Sequence, residues 1–276
     1  MDGAGKTWKE LAVIGFLEAM GTAILLIGVN FNNGNPLVLA AAILTGAILS
    51  GKLTGAHFNC AVTIGVFITE DASKRRGNIK LALVLMVSQI IGAWVGQLYS
   101  YMELGADGIA VLAPSNPNDM VPWKVFLVET CFTFILVASI LHNIFPRLTI
   151  QSDNVLAVTS VVTAVYFCCR CCGASTGACF NPAVALSNVP LVAMVRKGTE
   201  LRDFMDYLGV YIAGPMAGAI IAALFCKYLV MPYVPEQVYE ELKPKQVEDD
   251  GKPNYLPPTM DDLIMKQNKK KEGLLL

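Results

Sequence analysis

Charge is what this sequence has least of. Only 16% of its 276 residues are Asp, Glu, Lys or Arg, against about a quarter in an ordinary soluble domain, which points away from a water-exposed globule. The scarcity is also uneven, because sixteen of the 43 charged residues follow Met231 and leave the first 231 residues suited to hydrocarbon. A basic excess is missing too: the net charge is -1 and the Lys and Arg residues are not interleaved with aromatics, so nucleic acid is not an expected partner. The short apolar loops hold no nucleophile–base pair and no metal triad beyond a lone His57 and some cysteines, so no catalysis, cofactor or metal is expected. Eight cysteines lie in apolar stretches or beside short apolar runs, unlike an extracellular disulfide framework. No small-residue cleavage site follows the first apolar run, which at about 20 residues is expected to remain as a span.

What the chain does contain is hydrocarbon length. Crossing a core of about 30 Å takes about 20 apolar residues, and six stretches qualify: 9–30, 36–51, 79–101, 123–143, 155–172 and 207–231. The second and fifth are short. Each is followed by an apolar run too brief to cross, 59–69 and 181–195, that opens with Asn after a small-residue turn.

The two halves repeat. Thr54-Gly55-Ala56-His57-Phe58-Asn59-Cys60-Ala61-Val62 aligns with Thr176-Gly177-Ala178-Cys179-Phe180-Asn181-Pro182-Ala183-Val184 at seven of nine positions. Counting 33 residues on from each Asn reaches Gly92 of Gly92-x-x-x-Gly96 and Gly214 of Gly214-x-x-x-Gly218. Three spans per half is an odd number, so the second half must enter the membrane with opposite polarity, an inverted repeat with its site at the interface near mid-membrane. The expected architecture is therefore all-α: six transmembrane helices plus two re-entrant half-helices, with repeat one at 9–101, repeat two at 123–231 and the lipid bilayer as solvent.

A half-helix N-terminus carries unsatisfied N–H groups and about half a positive charge, and two facing each other would repel cations. Asn suits that place, since its carbonyl oxygen caps the helix while its NH2 donates into a pore.

Lys6, Lys9, Lys74, Arg75, Arg76 and Lys80 fall on one side of the membrane, read as cytoplasmic, whereas the 102–122 loop has no Lys or Arg. Arg196, Lys197 and Arg202 dissent. Six spans then put both termini in the cytoplasm. Residues 232–276 combine six prolines with many charges and are expected to be a largely disordered tail, either a docking segment for a cytosolic protein or solvated filler.

These two motifs resemble the paired signatures of the aquaporin, or major intrinsic protein, family over about residues 8–231. Glu18, Gln89-x-x-Gly92-Ala93, Glu129-x-x-x-Thr133-Phe134 and Gly214-Pro215-x-x-Gly218-Ala219 also match. The resemblance implies a homotetramer with one pore per subunit, passing water or a small neutral solute past Asn59, Cys60, Ala61, Asn181, Pro182 and Ala183, with Glu18 and Glu129 bracing the pore loops. Carried over without gaps, it assigns the outer selectivity filter to Leu39, Cys169, Ala178 and Val184.

Two departures stand out. Cys60 replaces a proline and so loses its pre-set φ, which reads either as a redox or mercurial gate or as a tolerated small substitution. Val184 stands where the family usually places Arg, so the fixed charge is missing and the filter is more apolar than one that passes only water. Passage of glycerol- or urea-like solutes, or low water flux, is expected. Arg170, charged inside an apolar span, either replaces that cation from the adjoining helix position or pairs with carbonyls and snorkels. His57 either lines the cytoplasmic mouth or packs as a hydrogen-bonded loop residue. Cys168-Cys169-Arg170-Cys171-Cys172 imitates a soft-metal cluster, but consecutive helical residues point around the axis and packing is the favoured reading. Gly3-Ala4-Gly5-Lys6-Thr7 lacks the strand and first glycine of a phosphate loop and is discarded. A rocking transporter and a non-conducting assembly subunit that retains the fold are the alternatives.

Overall fold

The computed structural model describes residues 3–116, 121–149, 153–196 and 201–234, with no side chains described for 154 and 201–204. The tail beyond Val234, Lys197 and the side chain of Arg202 lie outside the described residues.

Among the described residues eight α-helices follow one another: α1 Trp8–Asn30, α2 Pro36–Thr54, α3 Cys60–Thr69, α4 Ala72–Gly108, α5 Pro122–Ile144, α6 Asn154–Thr176, α7 Pro182–Val195 and α8 Leu201–Leu224. Six are long and apolar enough to span a bilayer, and α3 and α7 are the short ones. Strands are absent among the described residues.

Local chemistry sets the ends. Thr7 and Glu10 form a reciprocal capping box at α1, which gives the discarded glycine-rich stretch its actual role. Asn35 caps α2 ahead of Pro36, and Asp153 caps α6. Gly55 and Gly177 end α2 and α6 in the left-handed region, at φ 83° and 87°.

The spans differ from expectation at their edges. α6 is not short: Gly173, Ser175 and Thr176 lower the apolar signal, yet the helix runs 23 residues until Gly177 turns it. α4 extends from Ala72 to Gly108, because the charged Lys74–Lys80 stretch is helical beyond the apolar part, and it breaks at Gly105, where φ is 68°.

α1 lies on α4 and α5 on α8, and small residues permit this. A Cβ on Gly92 would stand 2.1 Å from the Ala19 carbonyl oxygen, and one on Gly218 would stand 2.4 Å from that of Thr130. The half-helices fit between these pairs. α3 packs on α8 and α5 through Gly65, while α7 packs on α4 and α8. α8 continues into a π-helical turn, Phe225–Val230, and a 3-10 turn, Met231–Tyr233.

Candidate functional site

The segments leading into α3 and α7 share one backbone pattern. Gly55, Ala56 and Phe58 have φ of 83°, 51° and 49°, and Gly177, Ala178 and Phe180 have 87°, 56° and 50°. Left-handed φ at Ala and Phe is costly, so the surroundings must hold it. Two buried carboxylates do so. Glu18 accepts from the Phe58 N–H at 2.7 Å and from Gln89 Nε2 at 2.7 Å. Glu129 accepts from the Phe180 N–H at 2.9 Å, the Cys179 N–H at 3.1 Å and Thr176 Oγ1 at 2.7 Å.

Each half-helix tip is bound to the other. Asn59 Oδ1 caps the Ala61 N–H at 2.8 Å while its Nδ2 donates to the Phe180 carbonyl at 2.9 Å. Asn181 Oδ1 caps the Ala183 N–H at 3.0 Å while its Nδ2 donates to the Phe58 carbonyl at 2.8 Å. Each amide uses one of its two N–H groups in these bonds. Cys60 and Pro182 both occupy the first helical position, and their Asn caps share extended backbone, φ −154° and −145°, so a tip forms without proline.

A cavity of about 470 Å³ reaches this junction, and Asn59 and Asn181 both border it. Leu39, Cys169, Ala178 and Val184 border it as well, brought together from α2, α6, the segment before α7 and α7 itself. Arg170, exposed on α6, lies on its edge. His57 is common to this cavity and to a second of about 250 Å³ that Lys6, Thr54 and Val66 also line. His57 is also packed: its Nδ1 lies 3.1 Å from Thr63 Oγ1, which in turn accepts from Gln89.

Cys60 does not border either cavity; its thiol turns to the Met86 carbonyl at 3.8 Å, away from where a gate would need it. Ala61 and Ala183 are fully buried beneath the tips. In the Cys168–Cys172 run the side chains diverge: Cys168 and Cys172 are buried against carbonyls, Cys169 meets the cavity and Cys171 is exposed. Among the described residues no three His, Cys, Asp or Glu groups converge to hold a metal.

Sequence reasoning missed a polar frame at one mouth. Asn188 clasps the segment after α4, accepting from the Leu112 N–H at 3.0 Å and donating to the Ala110 carbonyl at 2.7 Å. Asn30 accepts from the Ala110 N–H at 3.1 Å and donates to Gln97. The signal available was three amides inside apolar helices, where a polar side chain demands a partner. Arg196, which dissented in the charge pattern, is engaged locally, donating to the carbonyls of Ala106, Asp107 and Ile109 at 3.3, 3.2 and 3.0 Å.

Comparison with known proteins agrees with this geometry. Residues 12–226 match the sequence model of the family described as Major intrinsic protein. Among similar proteins are aquaporin AqpM of Methanothermobacter thermautotrophicus, 28% identical over 70% of this chain and 75% of that protein, and aquaporin-5 of Rattus norvegicus, 28% identical over 81% and 85%. The probable aquaporin TIP1-2 of Oryza sativa subsp. japonica is 30% identical over 68% of each chain. The X-ray structure of the aquaglyceroporin from Plasmodium falciparum superposes with a TM-score of 0.68 at 24% identity, covering 81% of this chain and 98% of that one. The chain is thus a multi-pass integral membrane protein, and it belongs to the major intrinsic protein family, whose members are channels rather than enzymes.

Proposed function

We propose that the cavity bounded by Leu39, Cys169, Ala178 and Val184 is the outer neck of a pore that passes water together with neutral solutes of glycerol or urea size. The supporting observation is that this neck, which ends on the Asn59–Asn181 junction, takes Val184 rather than a cation from α7. An apolar neck discriminates by width more than by hydrogen bonding, so a solute needs only acceptors for the two amides beyond it. Arg170 at the cavity edge is the one Lys or Arg among its described lining residues and repels cations without narrowing the neck as an inward Arg at 184 would.

Glu18 and Glu129 brace the pore segments symmetrically rather than relay protons. A homotetramer with one pore per subunit suits the exposed apolar faces, and both termini are cytoplasmic, on the side where Lys80 stacks over the Trp8 ring at 4.6 Å. The channel domain is residues 1–231, with its repeats at 9–101 and 123–231, and the tail at 232–276 docks a cytosolic protein.

Stopped-flow osmotic swelling of proteoliposomes with water, glycerol and urea tests the pore. The native protein passes water and at least one of the other solutes, and Val184→Arg lowers glycerol flux more than water flux. Absence of flux for all three solutes in a stably assembled protein would instead support the non-conducting alternative.

A further inference from the structure

Half-helix α3 ends inside the protein, where its last carbonyls have no partner within the helix and carry the negative end of its dipole. A cation remote in sequence meets that end. Lys227, at the third residue of the π-helical turn after α8, donates its ammonium to the carbonyls of Ile68 at 2.9 Å, Thr69 at 3.1 Å and Glu70 at 2.5 Å. An ammonium has three hydrogens, so these three consecutive carbonyls use all of them. The π turn adds a residue to the helical repeat, and here that turn is the one that carries Lys227 to α3.

The other half-helix is held in the reverse sense. α7 ends at Arg196, whose own side chain reaches out to carbonyls at the end of α4. At α3 the continuation of a long helix supplies the cation and the half-helix the carbonyls; at α7 these roles are exchanged.

We propose that Lys227 is a positioning residue of the pore: by gripping the C-terminal end of α3 it fixes how far Asn59 projects toward Asn181. This rests on the reading of the Asn pair as the pore waist. α3 is a ten-residue rod about 15 Å long, so its tip cannot stay in place if its far end shifts. Gly65 reinforces the point, since a Cβ there would stand 2.6 Å from Val137 Cγ1 and α3 has little room to slide sideways. Motion along its axis is what Lys227 blocks.

The test uses the full-length protein, native and with Lys227→Met or Lys227→Arg, reconstituted in proteoliposomes. Hydrogen exchange and the glycerol-to-water flux ratio are read on the same preparations. With Met, exchange of the Val66–Glu70 amides rises about tenfold, the order expected for losing charge-assisted hydrogen bonds, and the rise extends to Ala61–Thr63 at the tip. The flux ratio changes with it, α7 exchange stays native, and Arg, which retains a cation and donors, keeps most of the native behaviour. Exchange confined to Val66–Glu70 with a native flux ratio would overturn the proposal, as would an equal rise in α7, which marks general destabilisation. If the native protein passes neither water nor glycerol, the channel reading fails separately, and exchange at Ala61–Thr63 still decides the role of Lys227.

Discussion

Replacing Glu129 separates bracing from proton transfer. Its two oxygens accept three buried donors, the N–H groups of Phe180 and Cys179 and the hydroxyl of Thr176. Glu129→Ala strands all three, and at about 1–3 kcal/mol for each unsatisfied buried group the loss is about 3–9 kcal/mol before water enters the gap. That is comparable with the whole stability of many domains. Glu129→Gln keeps one acceptor oxygen and turns an NH2 toward the donor it cannot serve, so its cost is about 1–3 kcal/mol. Bracing therefore predicts a ranking. In detergent the Gln variant melts somewhat below the native protein and retains most osmotic flux per folded channel, while the Ala variant is lost or melts far lower. A proton-relay role predicts instead that both variants fold and that both lose function alike, because neither side chain titrates. Native-like melting of Glu129→Ala would refute the energetic reasoning itself.

Gly21→Ala should act through Phe58: its Cβ would stand 2.1 Å from the ring, and overpacking of this kind costs about 1–3 kcal/mol. Because the Phe58 carbonyl receives Asn181, flux as well as the melting temperature should fall, and Phe58→Leu added to Gly21→Ala should recover both in a double-mutant cycle. Bulky thiol reagents added to proteoliposomes should block flux through Cys169, which borders the cavity, so Cys169→Ser should abolish the inhibition while Cys60→Ser should leave the protein sensitive. Persistent block in Cys169→Ser would show that the neck is not where these residues meet.

The legible parts of the molecule are those that depend on residue type and spacing. Two half-length runs, each opened by Asn and 33 residues ahead of a Gly-x-x-x-Gly, give the architecture because hydrocarbon length and small-residue helix contacts are one-dimensional signals. The end of α6 was less legible, since Gly173–Thr176 are too weakly apolar to extend a hydropathy signal yet remain helical. Side-chain direction was not legible at all: Cys60 and Cys169 are both small thiols near the junction, and only the helix phase sends one toward Met86 and the other to the cavity. Lys227 illustrates the remaining limit. Its partners are carbonyls some 157–159 residues away, and a backbone oxygen leaves no trace in the sequence.

The location of the two departures follows from how the tips are bonded. Each Asn caps its own half-helix and donates to the carbonyl before the other Asn, so neither tip can change alone without stranding a group on its partner. The first helical position is under no such constraint, because its N–H has no intrahelical acceptor in any case; Cys60 gives up a pre-set φ and strands nothing. Val184 lies two residues further along α7, where it borders the cavity and takes no part in the reciprocal bonds. Under the proposed pore, substitutions there would change what the neck admits while the junction keeps its geometry. In the proposed pore, selectivity and architecture are thus carried by different groups, and a chain with an intact Asn pair can hold an unusual filter.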